Sequence, residues 1–200
     1  MSITRVLPHH YHPEVKYVYS GTFMDKRGTF QECFNKKDFK KHGLPTTFVQ
    51  DNLSVSFHNV FRGLHIQLDN PQGKLVQCLR GEIRDFFVDV RPDSPNYGVI
   101  GYVDLDEQHG TAVYIPPGFA HGFMVRNCEK AIVSYKCTTL YDPKSDCGIN
   151  FNQFEEITRL MNDLTVVSDK DKNLLTLEAF RGKTLNYRSR KPRSRSRTRA

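Results

Sequence analysis

Between Tyr17 and Cys137 the apolar positions come in short runs rich in β-branched and aromatic residues, each stopped by Gly, Pro, Asn or Asp. That punctuation predicts an all-β sandwich or barrel. The predicted strands are VKYVYSGTF (15–23), TFQECF (29–34), TFVQDNLSVSF (47–57), VFRGLHIQ (60–67), KLVQCLR (74–80), EIRDFFVDVR (82–91), YGVIGYVDL (97–105), TAVYI (111–115), GFMVR (122–126) and AIVSYKC (131–137). Several alternate with period two. In EIRDFFVDV the pattern sends Ile83, Phe86 or Phe87, Val88 and Val90 to an interior, with Arg84, Asp85 and Asp89 facing elsewhere. Two helices are predicted: NKKDFKKHG (35–43), stopped by Gly43, and SDKDKNLLTLEAF (168–180), capped by Ser168 with Asp169 and Asp171 in its first turn.

Length and charge refine this picture. The chain of 200 residues fits one domain, expected over 1–186, with a core large enough to need neither disulfide nor metal. Its formal charge of +7 suggests a nucleic-acid binder until the basic residues are located. Nine of the 29 lie after Phe180, where no acidic residue occurs; residues 1–180 carry 20 basic and 22 acidic side chains. The body is therefore not basic. The last segment, 187–200 (YRSRKPRSRSRTRA), has no apolar residue beyond Tyr187 to anchor it and is expected to be a disordered tail. It reads as solvated or as a weak electrostatic contact for a polyanion. Five cysteines without a CxxC pair, and an N-terminus without an apolar leader core, point to a reducing, cytoplasmic setting. No apolar run approaches the ~20 residues of a membrane-spanning helix, so no membrane role is expected.

Four clusters carry candidate chemistry. Phe61-Arg62-Gly63-Leu64-His65-Ile66-Gln67 places an arginine and a histidine in an apolar strand. His65 and Gln67 share a face there, and Arg62 takes the other unless a bulge at Gly63 re-aims it. Lys74 opens the strand after the turn at Gln72-Gly73. Tyr114-Ile115-Pro116-Pro117-Gly118-Phe119-Ala120-His121 puts a Pro-Gly turn before a His-bearing strand, a feature that recurs in cupins. Tyr135-Lys136 lies in the last predicted strand, with Tyr141 after it. Two strand histidines raise the question of a metal, but Gln67 stands where a second ligand of a His-x-His pair would be and Asp69 falls in a turn. His65 and His121 alone would leave zinc or iron with an incomplete shell, so no metal and no cofactor are expected. Histidine, lysine or arginine, and tyrosine are instead the three parts needed to remove a proton beside a carbonyl, stabilise the enolate and return a proton from the other face.

In their order these motifs resemble the dTDP-4-dehydrorhamnose 3,5-epimerase family of nucleotide-sugar epimerases. The resemblance rests on Asp25-Lys26-Arg27-Gly28 with Phe30 and Glu32, Phe48-Val49-Gln50-Asp51-Asn52, Asn59 to His65, Gln72 to Val76, Val88 to Arg91 with Ser94-Pro95, Ile115 to Phe123, and Tyr135 to Thr138 with Tyr141. It implies a cupin or jelly-roll β-barrel with short flanking helices. It also implies a homodimer with shared active sites that inverts C3, and C5 with it, of a nucleoside-diphosphate 4-keto-6-deoxyhexose. By the same resemblance His65 is the base, Tyr135 the acid, Lys74 with Arg62 the support of the enolate oxygen, and Asp171 the carboxylate paired to the base, with Asp169 as competitor. Arg27, Phe30, Glu32, Gln50, Asn52, His121 and Tyr141 match the nucleotide and sugar pocket, some of them contributed by the partner subunit. The chain departs from the family where a tryptophan-bearing segment is usual and GINFNQFEE stands instead. Epimerisation at C3 alone, 3,4-ketoisomerisation, and a non-catalytic sugar-nucleotide or polyanion binder are the alternatives.

Overall fold

The structure, a computed structural model, describes residues 3–186. The expected tail 187–200, with its polyanion contact, lies outside the described residues. Thirteen strands run β1 (Ile3–Pro8), β2 (Lys16–Ser20), β3 (Thr22–Asp25), β4 (Gly28–Gln31), β5 (Gln50–Phe57), β6 (Phe61–Gln67), β7 (Lys74–Arg80), β8 (Glu82–Asp89), β9 (Ile100–Asp106), β10 (Thr111–Ile115), β11 (Phe119–Arg126), β12 (Lys130–Cys137) and β13 (Asp146–Gly148). Among the described residues four short helices accompany these strands: α1 (Lys36–Lys41), α2 (Glu155–Thr158), α3 (Asp169–Lys172) and α4 (Leu177–Arg181). The expected mainly-β barrel is the observed architecture. Two antiparallel sheets face each other in the orders β1-β2-β10-β7-β12-β5 and β13-β6-β11-β8-β9, and β3-β4 forms a separate hairpin.

Three apolar clusters hold these layers. Between the sheets lie Val76, Cys78, Ile83, Phe87, Leu105, Val113, Ile115, Val125 and Val133. Behind the five-stranded sheet, the chain after Ile149 packs Phe151, Phe154, Ile157, Phe180 and Leu185 onto Phe61, Leu64, Ile66, Phe86 and Val88. Behind the six-stranded sheet, Phe39 of α1 and Leu44 cover Val18, Leu75 and Ala112. Each cluster is apolar surface withdrawn from water on one face of a sheet, the arrangement that stabilises layered β folds.

Because the five-stranded sheet is covered on both sides, the reading of β8 needs correction. Ile83, Asp85, Phe87 and Asp89 point into the barrel, whereas Phe86, Val88 and Val90 belong to the cluster behind the sheet. Asp85 and Asp89 are completely buried, Asp85 against His121 and Asp89 against Arg91 at 2.6 Å. A strand with two buried faces cannot be assigned by polar alternation. The predicted strand 15–23 is also two elements. At Gly21 the chain leaves the pairing of β2 with β1 and β10 and enters the β3-β4 hairpin. The predicted helix 168–180 splits in two as well. Leu175 accepts from the Asn150 amide at 2.7 Å and donates its own amide to Gly148 O at 3.3 Å, and this backbone pairing interrupts the helix until Thr176 caps α4. Helix α1 ends as predicted, with Asn35 as N-cap and Gly43 at φ +71° beyond it. Strands β1 and β13, helix α2 and the 3₁₀ turn Phe151–Gln153 were not predicted.

Register places the bulge that matters to the site. Along the β6/β11 pair His65 faces His121 but Arg62 faces Phe123, so β6 carries an extra residue at Gly63-Leu64. Phe61, Leu64 and Ile66 face the rear cluster, and Arg62, His65 and Gln67 share the other face. Gly63 has φ +133°, and a Cβ there would meet Gly122 Cα at 2.5 Å. Gly63→Ala should therefore destabilise the protein by roughly 1–3 kcal/mol in urea unfolding, beyond what an exposed glycine such as Gly28 costs. Equal effects at the two positions would contradict the close approach.

Candidate active site

Inward-facing positions at one end of the barrel are polar on strand after strand: Gln50 and Asn52 on β5, His65 and Gln67 on β6, Lys74 on β7 and Tyr135 on β12. With Tyr141 they line a cavity of about 300 Å³. The sequence-predicted base, acid and lysine thus come together. Gln50 donates to Asn52 at 2.9 Å and accepts from the Tyr141 amide at 2.7 Å, which ties the loop after β12 to the cavity wall.

His65 presents its ring to the cavity with about a third of the side chain exposed (34%), and its Nε2 meets Asp171 Oδ1 at 2.7 Å. The other oxygen of Asp171 accepts from the Gly63 amide at 3.0 Å. Ser168, the N-cap of α3, holds the Asp171 amide at 3.1 Å, so a single helical turn aims the carboxylate at the bulge. Asp169, the competing carboxylate, is 96% exposed and among the described residues pairs only with Lys172. Burial raises the pKa of Asp171, but the hydrogen bonds from His65, Gly63 and Ser168 outweigh it and hold the carboxyl below the usual range. With Nε2 committed to the carboxylate, the tautomer inferred from this hydrogen bond leaves Nδ1 as the free lone pair of His65.

Lys74 stands opposite Cys137 in the β7/β12 register. Desolvation lowers its pKa, opposed by Cys137, Asp85 and Asp146. Burial raises the pKa of the Tyr135 phenol, as does Cys137, against a smaller opposing effect of Arg62. The phenol is thus held in its proton-bearing form. Arg62 donates to Ser56 at 2.8 Å and lies outside the cavity lining.

The remaining predicted site residues sit elsewhere. His121 is buried beneath the cavity, bonded through Nε2 to Asp85 Oδ2 at 2.8 Å, and burial lowers its pKa. Arg27 and Phe30 are on the β3-β4 hairpin, away from this cavity, with Phe30 70% exposed. Glu32 follows the hairpin, and its Oε1 is buried with no hydrogen-bond partner. His65 and His121 each direct Nε2 to a carboxylate, and among the described residues no group of three or more His, Cys, Asp or Glu could hold a metal ion. Gln67, which fills the position of a second histidine, donates to the carbonyls of Asp69, Asn70 and Leu140 and accepts from the Asp142 amide, stapling two loops.

Sequence reasoning missed Asp146, Lys170, Gln72 and Phe119 in the cavity lining. Tyr141 donates to Asp146 Oδ2 at 2.8 Å, and Lys170 pairs with the same oxygen. For three of them the signal was position: Lys170 stands next to Asp171, and Gln72 and Phe119 lie in the clusters of Lys74 and His121. Asp146 lies opposite Gln67 in the β13/β6 pair, a register not visible before β13 was known.

The model of the family described as dTDP-4-dehydrorhamnose 3,5-epimerase matches residues 11–179. The chain is 44% identical over 155 residues to a dTDP-4-dehydrorhamnose 3,5-epimerase of Methanothermobacter thermautotrophicus, covering 76% of this chain and 83% of that protein. It is 43% identical over 159 residues to one of Escherichia coli, covering 78% and 85%. Among solved structures, the dTDP-6-deoxy-D-glucose-3,5-epimerase of Legionella pneumophila in complex with dTDP-4-keto-L-rhamnose aligns with a TM-score of 0.81 at 36% identity, over 87% of this chain and 93% of that one.

The depressed pKa of Asp171 makes a stability prediction. A carboxylate depressed in the folded state contributes stability above its unfolded pKa, about 4, and loses it as pH falls through the folded value. Asp171→Asn should cost about 1–3 kcal/mol at pH 7 by urea unfolding, and the gap to the parent should shrink below about pH 4. A gap independent of pH would contradict the charge-assisted bond.

Proposed function

The chain belongs to the dTDP-4-dehydrorhamnose 3,5-epimerase family, and we propose that it works through His65 as base, Asp171 as the carboxylate orienting it, Lys74 at the enolate oxygen and Tyr135 as acid. The protein is an epimerase of a nucleotide-linked 4-keto-6-deoxyhexose in rhamnose-type deoxysugar biosynthesis. The observation that carries the residue assignment is the 2.7 Å contact of His65 with Asp171 at the wall of a cavity that Lys74 and Tyr135 also line.

The chemistry follows from the ketone at C4, which makes the hydrogens on C3 and C5 acidic because their removal gives an enolate. His65 Nδ1 takes the proton, and the imidazolium so formed is stabilised by Asp171 through Nε2–H. Charge on the enolate oxygen is met by the Lys74 ammonium, a contact stronger for the enolate than for the ketone, while Arg62, outside the cavity lining, can act there only at longer range. Tyr135, neutral and on β12, returns a proton from the face opposite His65, which inverts the carbon. C3 and C5 flank the same carbonyl, so one set of groups serves both. In deuterated water the wild-type protein should place solvent deuterium at C3 and C5. His65→Ala should slow this by about 10²–10⁴-fold with the melting transition retained. Exchange at the wild-type rate in that variant would overturn the base assignment.

The assembly reading is a homodimer with shared sites. Its support is the hairpin bearing Arg27 and Phe30, where Met24 is 81% exposed, together with exposed Leu53, Val55 and Phe57 on edge strand β5. Three exposed apolar side chains on one edge strand, and an exposed hairpin elsewhere, suit protein interfaces. If the hairpin of one subunit completes the site of the other, mixing inactive His65→Ala and Arg27→Ala chains should restore activity through hybrid dimers; no recovery after subunit exchange would contradict sharing. All five cysteines are unpaired, which supports the reducing, cytoplasmic setting, and among the described residues no helix is long and apolar enough to cross a membrane.

A further inference from the structure

Every residue lining the active-site cavity except Ile66 and Phe119 carries a polar side chain. Ile66 turns its side chain to the cluster behind the five-stranded sheet. Phe119 is therefore, among the described residues, the one wholly apolar side chain that faces the cavity. It belongs to the cluster between the sheets and stands on β11 opposite Asp89, two residues before His121.

The ring of Phe119 is held from several sides. The Arg91 guanidinium carbon lies 4.8 Å from its centroid, and His12 and Phe87 meet it edge-on with centroids 5.4 and 6.3 Å away. Arg91 is itself clamped: Nε and Nη2 donate to Asp89 at 2.9 and 2.6 Å, and Nη1 donates to Glu14 at 2.9 Å. The turn before the ring is equally tight, since a Cβ on Gly118 would meet Arg91 Cγ at 2.5 Å. The cavity thus has one fixed apolar surface, and that surface neither donates nor accepts a conventional hydrogen bond.

A nucleotide-linked 4-keto-6-deoxyhexose has one apolar end, the methyl group at C6, while its other ring substituents are hydroxyls, the ketone and the link to the diphosphate. We propose that Phe119 is a specificity-determining residue that receives this methyl group and selects 6-deoxy sugars over those with a hydroxyl at C6. The inference rests on the epimerase reading with the C4 oxygen at Lys74, and it adds what the site reads on the C5 side of the ketone. A C6 hydroxyl would leave water to face a ring that offers it no partner, and such a group is costly to bury. Apolar pockets reject an added hydroxyl by about 10²-fold, which sets the size of the effect.

Phe119→Leu tests this, because leucine keeps the site apolar but opens space beside the sugar for water to follow a hydroxyl. Deuterium exchange at C3 would be measured for a dTDP-linked 4-keto-6-deoxyhexose and for the same 4-ketohexose bearing a C6 hydroxyl. In the wild-type protein kcat/KM should favour the 6-deoxy sugar by about 10²-fold, and in Phe119→Leu that preference should shrink to about tenfold or less. A merely structural role would slow both sugars alike and leave the ratio unchanged; that result overturns the proposal, as does a wild-type protein that does not discriminate. If Phe119→Leu does not fold, proton NMR of the wild-type protein with the dTDP-linked 6-deoxy sugar bound decides. A nuclear Overhauser contact from the C6 methyl to the Phe119 ring, assigned through its backbone, supports the proposal, and its absence overturns it. Exchange of neither sugar by the wild-type protein would refute the epimerase reading, while the methyl contact would still be judged by NMR.

Discussion

Asp171 places one carboxylate oxygen on His65 and the other on the backbone amide of Gly63, two residues earlier on the same strand. One side chain from the C-terminal segment thus fixes both the ring of the base and the bulge that turns that ring into the barrel. The bulge brings Arg62 onto the face of His65 and leaves Phe61, Leu64 and Ile66 in the cluster behind the sheet. If the segment carrying Asp171 were displaced, the bulge amide would lose its partner and His65 its orientation together. The segment is kept in place by apolar burial, with Phe151, Phe154, Ile157 and Phe180 packed on the rear of β6 and β8. Hydrophobic packing on one side of the sheet therefore sets the geometry of the His65–Asp171 pair, the proposed proton-transfer site, on the other.

The barrel interior is divided along its length. Val76, Cys78, Ile83, Val125 and Val133 fill one end as an apolar core, and the same inward faces become Lys74, Tyr135 and His65 at the other. Charges at the polar end are desolvated enough for their mutual interactions to be strong, and they are arranged before substrate arrives. Their pKa shifts fit their tasks: the Asp171 carboxyl is held below its usual range and the Tyr135 phenol above it. His65, the proposed base, is thus backed by an anion and shares its cavity with a proton-bearing phenol.

Much of this was legible in the sequence because period-two runs and turn residues mark strands without reference to tertiary contacts. KLVQCLR and TAVYI were located to the residue. The site was legible where motifs held residue identities at fixed spacing, as at His65, Lys74 and Tyr135. What was lost depended on long-range pairing. Asp85 looked outward because alternation assumes one wet face, and the rear cluster removed that face. The single helix expected over 168–180 was split by backbone bonds to Gly148 and Asn150, some 25 residues away in the chain. The choice between Asp169 and Asp171 needed the direction of one helical turn relative to the barrel, which no local pattern encodes. Arg27 and Phe30 lie outside the cavity lining within one chain, so a role for them in the site rests on the proposed second copy.

The central claim is that Asp171 acts through His65, and a double-mutant cycle on the rate of deuterium exchange at C3 tests it most directly. His65→Asn, Asp171→Asn and the double variant would be compared under single-turnover conditions. The account predicts strong non-additivity: Asp171→Asn slows exchange steeply when His65 is present and adds almost nothing once it is gone. Independent, multiplying losses in the double variant would contradict it.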